Sequence, residues 1–288
     1  MQVLVTGGSG FIGSELKKSI YLDDPFPVYP SSEELDITNW FLVNEYFERV
    51  RPDVVIHLAG QTNIGQSAIH PHLDLDINAK GMINLVCAAE EYEVSKFIYM
   101  STCAVYGNCM FMKEDEQPFP ESPYGISKLA AEQYLRIADI KVKTVLRLSN
   151  ALGYNADLSP RITDIFTDCL EGFESPVFFG TGKDTYRDYI HTDDVCNAIK
   201  MMMFKDFRGT FNLCTGVPTN LSTLWGMMQS IWGIDGQEPI YQELRDCDPL
   251  WAVPSSDKIQ EVCGFEFKHD LYSGLKKIYD TAQNNKSS

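Results

Sequence analysis

Tyr124 and Lys128 stand four positions apart in Tyr124-Gly125-Ile126-Ser127-Lys128. On a helix this spacing puts both side chains on one face. An ammonium beside a phenol lowers the phenol's pKa toward a range useful for moving protons. Thr102, some twenty positions earlier, offers a hydroxyl to the same substrate oxygen. Together the three residues make a proton relay for oxidising an alcohol or reducing a ketone. A single Y-x-x-x-K is near noise, so its meaning depends on a second pattern at the start of the chain. There Val3-Leu4-Val5 reads as a buried strand, glycines follow at 7, 10 and 13, and Phe11-Ile12-Gly13 opens a helix. Gly7 permits a tight turn, Gly10 lets backbone approach a pyrophosphate, and Gly13 lets the helix pack on the strand. The helix N-terminus turns N–H groups and a positive dipole end toward phosphates. An ordinary strand–helix turn is the bland alternative, and the placement between strand and helix argues for a dinucleotide site.

The elements that must carry these residues alternate between strand and helix signals, which predicts an α/β fold. The 288 residues, 44% hydrophobic and 12% aromatic, suffice for a large core. A formal net charge of −16 argues against nucleic-acid and anionic-membrane partners. No run of about 18 apolar residues appears, and the N-terminus reads as a core strand rather than a signal peptide. Eight scattered cysteines without a C-x-x-C pair read as reduced thiols of a cytoplasmic protein. His70 and His72 flank Pro71, a poor arrangement for a metal, and no metal site is expected.

Phe26 to Tyr29 reads as the second strand. An NAD site usually places Asp or Glu at its end, to bind the adenosine ribose hydroxyls. Here Pro30-Ser31-Ser32 follows, with Glu33 and Glu34 slightly later. Ser31 and Ser32 leave room for a 2′-phosphate, yet no Arg stands beside them. The cofactor is therefore read as NAD or NADP, with dual use or a mild lean to NADP. Asp36 and Ile37 are placed at the adenine, and helix capping before Trp40 is the competing role for this segment. Val54 to Gly60 reads as a buried parallel strand whose end, Leu58-Ala59-Gly60, opens into the ligand crevice. His57 inside it reads as a core residue. Lys96 to Met100 forms the next strand, ending at Ser101-Thr102. An acidic, Pro-rich loop then leads to the helix of Tyr124 and Lys128.

These residues resemble the extended short-chain dehydrogenase/reductase family, in its nucleotide-sugar epimerase, dehydratase and 4-keto-reductase branch. The resemblance runs through TGGSGFIG at 6–13, DIT at 36–38, HLAGQ at 57–61, STCAVYG at 101–107 and SPYGISK at 122–128. It continues through RLSNALG at 147–153, RDYIHTDDV at 187–195, FNLCTG at 211–216 and the R-x-x-D of Arg245 to Asp248. It implies that Tyr124 is the general acid/base, that Lys128 lowers its pKa and holds the nicotinamide ribose, and that Thr102 orients the substrate oxygen. Asn78 resembles the structural Asn behind the catalytic Lys. Asn150, Arg187 and Arg245 are implied to meet the diphosphate of a nucleoside-diphosphate sugar. The arginines also follow from charge, because a diphosphate in so acidic a protein needs guanidinium forks. Cys103 and Ala104 stand where the 4,6-dehydratases carry Asp-Glu, which argues against dehydration.

The expected fold is a doubly wound parallel sheet (Rossmann) with a smaller C-terminal substrate lobe. Residues 1–152 and 188–217 are assigned to the dinucleotide domain, 153–187 and 218–288 to the lobe. The expected reaction is oxidoreduction at C4 of the sugar, as a 4-epimerase or a 4-keto-sugar reductase, in a homodimer implied by resemblance. Two other readings compete. An inactive dinucleotide sensor or scaffold would be expected to lose Tyr or Lys. A reductase of a non-nucleotide substrate would lack the two arginines.

Overall fold

The structure is a computed structural model and describes residues 1–20, 27–154, 162–244 and 249–286. Six parallel strands form the main sheet: β1 (Val3–Thr6), β2 (Pro27–Val28), β3 (Val54–His57), β4 (Lys96–Thr102), β5 (Val142–Leu148) and β6 (Gly209–Leu213). Their order is β6-β5-β4-β3-β1-β2, with every pairing parallel. Among the described residues the longer α-helices are α1 (Phe11–Ser19), α2 (Trp40–Val50), α3 (Gly81–Glu91), α4 (Pro123–Ile137), α5 (Ile162–Gly172), α6 (Thr192–Phe204), α7 (Leu221–Trp232), α8 (Asp257–Cys263) and α9 (Leu271–Lys286).

Alternate residues of each strand face opposite layers, so a strand buried on both faces reads as a continuous apolar run. Val3, Val5, Ile56 and Ile98 pack with Leu16 of α1 and Ile199 and Met202 of α6. Leu4, Val55, Phe97 and Tyr99 face the other way, onto Phe47 of α2, Leu85 of α3 and Leu135 of α4. A third core joins Phe166 and Leu170 of α5, Trp225 and Met228 of α7, and Leu275 and Ile278 of α9. All six lie in the stretches assigned above to the smaller lobe.

The lobe boundary differs from the sequence expectation in one stretch. Ile259, Cys263 and Phe265 belong to the first core of the main sheet, beside Phe211 and Ile199. Residues 218–288 therefore do not form one unit, because the apolar face of α8 is buried beside β6. Among the described residues no helix is long and apolar enough to cross a membrane.

Candidate active site

The loop after β1 shows why its glycines are needed. Gly7 has φ +74°, and a Cβ there would lie 2.5 Å from the Ala59 nitrogen. A Cβ on Gly13 would lie 2.1 Å from the Gly7 carbonyl oxygen, so α1 can pass this close to the loop only as glycine. Gly10 caps α1 with no side chain of its own, and its N–H bonds the Gly7 carbonyl at 3.0 Å. Phe11 meets Gly153 and Ile12 packs into the first core. Leu58 also turns into that core, whereas Ala59 and Gly60 line a cavity of about 300 Å³ with Gly7, Ser31, Asp36 and Ile37. Asp36 also caps the turn beneath it, accepting the Thr38 N–H and hydroxyl at 2.9 and 2.8 Å. Asn39 caps α2. Ser31 is exposed at the cavity's edge, and Glu34 is hydrogen-bonded to it.

The catalytic candidates converge where β4 ends and α4 begins. Ser122 caps α4, its hydroxyl accepting the Gly125 N–H at 3.1 Å, with Pro123 in the first turn. That cap places Tyr124 against Thr102. Thr102 lies close enough to the phenol to draw its pKa down, and its hydroxyl oxygen accepts the Ala104 N–H at 3.1 Å. Lys128, one turn further, is buried, and its Nζ donates to the Met100 carbonyl at 2.8 Å and lies 4.5 Å from the Tyr99 ring centroid.

Burial dominates the electrostatics of both residues. It pushes the Tyr124 phenol up to about 12, opposed by the neighbouring Thr102 hydroxyl and reinforced by Asp74. It brings the Lys128 ammonium down to about 7, with Glu132 pulling the other way. The expectation that Lys128 depresses the phenol is not met, because Lys128 is not among the groups that shift it. The ammonium is committed to a backbone carbonyl, and desolvation is the larger effect.

Asn78, expected behind Lys128, is the hub of a network whose other members the sequence reading did not name. Residues 75–80 form a π-helical turn, a rare form that recurs at functional sites. It carries Asn78, whose Nδ2 donates to Ser127 Oγ at 3.0 Å and to the Gln61 carbonyl at 3.1 Å. Its Oδ1 accepts the Gln61 N–H at 2.9 Å. Asp74, fully buried, accepts from Gln61 Nε2 at 2.9 Å. Behind Lys128, Glu132 pairs with Arg147 at 2.7 Å. His57 is buried with Nδ1 against Thr6 Oγ1 at 2.7 Å, and burial holds it neutral, down to about 3.

Asn150 and Arg187 come together through Asp188. The Asn150 Nδ2 donates to the Asp188 carbonyl at 2.9 Å. Arg187 is half-buried, and its Nη1 donates to the Tyr186 carbonyl at 3.0 Å. The Asp188 carboxylate accepts from the Ser149 hydroxyl, the Thr215 N–H and hydroxyl, and the Val217 N–H, at 2.6 to 3.1 Å. Arg245 lies outside the described residues. The ligand atoms of His191, Asp193 and His269 fall within 4.8 Å of one another, a cluster that the sequence reading did not name. The Lys277 ammonium and His269 already bind that Asp193 carboxylate.

A family model for the NAD-dependent epimerase/dehydratase family matches residues 3–214. A Methanocaldococcus jannaschii protein provisionally named a UDP-glucose 4-epimerase is 31% identical, with 98% of this chain and 99% of that protein covered. The structure of UDP-glucose 4-epimerase from Thermotoga maritima with UDP-glucose superposes with a TM-score of 0.90 at 31% identity, covering 99% of each chain. That of the Thermus thermophilus UDP-glucose 4-epimerase complex with NAD gives 0.89 at 26% identity, covering 98% of this chain and 99% of that one.

Proposed function

We propose, because the chain belongs to the NAD-dependent epimerase/dehydratase family, that it works at C4 of a nucleoside-diphosphate sugar as a 4-epimerase of the UDP-glucose 4-epimerase kind. One observation carries the chemistry: the Tyr124 phenol stands beside Thr102, the last residue of β4, and one helical turn from Lys128. The glycine cradle and the adjoining cavity fit a dinucleotide, since a Cβ at Gly7 or Gly13 would collide with backbone. Hydride acceptance and return at the sugar carbon is the chemistry that a bound nicotinamide dinucleotide contributes.

The chain's own residues handle the proton. Thr102 orients the C4 oxygen, and Tyr124 takes the hydroxyl proton on oxidation and returns it on reduction. Neither a lone phenolate nor a lone ammonium is favoured in this buried pocket, but each stabilises the other, so the two charges are formed best as a pair. Asn78 and Ser127 hold the backbone around Lys128. Arg187, Asn150 and Arg245 are assigned to the diphosphate, an assignment that rests for Arg245 on sequence alone.

Incubation with UDP-glucose and no added dinucleotide should yield UDP-galactose by nuclear magnetic resonance. A second reading, 4-keto-sugar reductase, is favoured by the missing acid directly after β2. Stoichiometric oxidation of reduced dinucleotide by a 4-keto nucleotide sugar, without interconversion, would establish that reading instead. The proposal also includes a homodimer and a reducing compartment, the cytoplasm. The first is supported by exposed Ile126 and Ile137 on α4, three turns apart on one stripe, and the second by the unpaired described thiols.

A further inference from the structure

Helix α4 carries a third buried ionisable residue, one turn beyond Lys128. Glu132 is as buried as Lys128, each only 4% exposed, and side chains four apart on a helix are close enough to pair. The two are not joined here. Lys128 Nζ donates to the Met100 carbonyl, while both carboxylate oxygens of Glu132 are taken by Arg147 of β5. Arg147 Nη2 donates to Oε2 at 2.7 Å, and Nε reaches Oε1 and Oε2 at 3.1 and 3.3 Å. The Ser101 hydroxyl adds a bond to Oε1 at 2.5 Å.

Arg147 is held in turn. Its Nη1 donates to the Tyr106 hydroxyl at 2.8 Å, and its guanidinium lies 4.7 Å from that ring's centroid. The Tyr106 hydroxyl donates to Asn212 Oδ1 at 2.7 Å, and Asn212 Nδ2 donates to the Met112 and Ser255 carbonyls, each at 3.0 Å. Arg147, Tyr106 and Asn212 are all buried. A planar fork fixed in this way holds a carboxylate in one direction. The neutral His57 of β3 and the Tyr99 ring of β4 also face Lys128, and Glu132 is the group that draws the ammonium toward its charged form. Without Arg147, Glu132 would be an uncompensated buried charge, with Lys128 the cation one turn away on the same helix.

We propose that Arg147 is a positioning residue for Lys128: its fork restrains Glu132 and so keeps the Lys128 ammonium at the end of β4 rather than in an ion pair behind it. The inference rests on the proton-relay reading above and adds to it the residue that stops a neighbouring acid from capturing the lysine. Glu132→Gln keeps an oxygen to accept the Ser101 hydroxyl, so this change isolates the charge.

The test compares Arg147→Met with the double variant Arg147→Met/Glu132→Gln. Ionisation of Lys128 is followed by nuclear magnetic resonance at its ε-carbon, assigned through Lys128→Met, and turnover of UDP-glucose is measured beside it. Arg147→Met should raise the Lys128 midpoint from about 7 by at least about one pH unit, the effect of a carboxylate at pairing distance. Its kcat should fall by about tenfold or more, because the ammonium is displaced. The double variant should bring the midpoint back to the wild-type value or below and recover most of kcat, since no unpaired ion is left. An unmoved midpoint in folded Arg147→Met would overturn the proposal. So would a double variant as slow as the single one, which would reduce Arg147 to a brace of the core. If Arg147→Met does not fold, Arg147→Lys keeps the charge and loses the fork, and it carries the same comparison with and without Glu132→Gln. Wild-type protein that leaves UDP-glucose unchanged would remove the functional reading, and the Lys128 midpoints would still decide this proposal.

Discussion

Tyr124 and Lys128 each sit where the charged form is disfavoured, the phenol pushed up to about 12 and the ammonium brought down to about 7. Tyr124→Phe should lower turnover by ~10²–10⁴-fold with nucleotide-sugar binding largely kept, as steady-state kinetics and calorimetry would show. Near-normal turnover would remove the residue from the proton path. Lys128 also makes a prediction about stability. Its folded pKa lies below its ordinary 10.5, so the folded state binds fewer protons than the unfolded one between 7 and 10.5. Its contribution to stability is then present above 10.5 and lost as pH falls through 7. Chemical denaturation between pH 7 and about 8.5, below where ordinary thiols titrate, should show stability rising with pH from this group. Lys128→Met should flatten the rise, and an unchanged slope would contradict the assigned shift.

The elements separate what was legible in the sequence from what was not. Both the glycine loop and the Tyr124/Lys128 spacing are local signals, carried by one turn and one helical face, and the fold places them as their spacing implies. The partner of Lys128 was not legible, because Met100 reaches it only through the packing of α4 on β4. The π-helical turn that aims Asn78 has no such short-range pattern either. Glu34 did leave a signal. Ser31-Ser32-Glu33-Glu34 is the Ser-x-x-Glu pattern in which hydroxyl and carboxylate bond each other's backbone, as they do here. At this scale Gly13→Ala is decisive. The added methyl falls 2.1 Å from the Gly7 carbonyl, so either α1 or the loop must move. Thermal melting should register a loss of about 1–3 kcal/mol, and dinucleotide binding should fall with it. Binding unchanged in a folded variant would mean that this loop does not contact the cofactor.

For the molecule as a whole, α4 carries Tyr124 and Lys128 on its buried face and Ile126 and Ile137 on its exposed one. A partner docked on that outer stripe would brace the catalytic helix from behind. Ile126→Glu combined with Ile137→Glu should convert the proposed dimer to monomer by analytical ultracentrifugation, and a wild-type chain that is already monomeric would end that proposal.

The Asp188 carboxylate has a mechanical consequence. It joins the chain after β5, through Ser149, to the loop after β6, through Thr215 and Val217, and it does so from the residue beside Arg187. Three segments distant in sequence are tied there at one point, which stiffens the backbone beside Arg187. In amide hydrogen exchange Thr215 and Val217 should therefore be as protected as the strand residues of β6, although both stand in a loop. Asp188→Asn should expose both amides together.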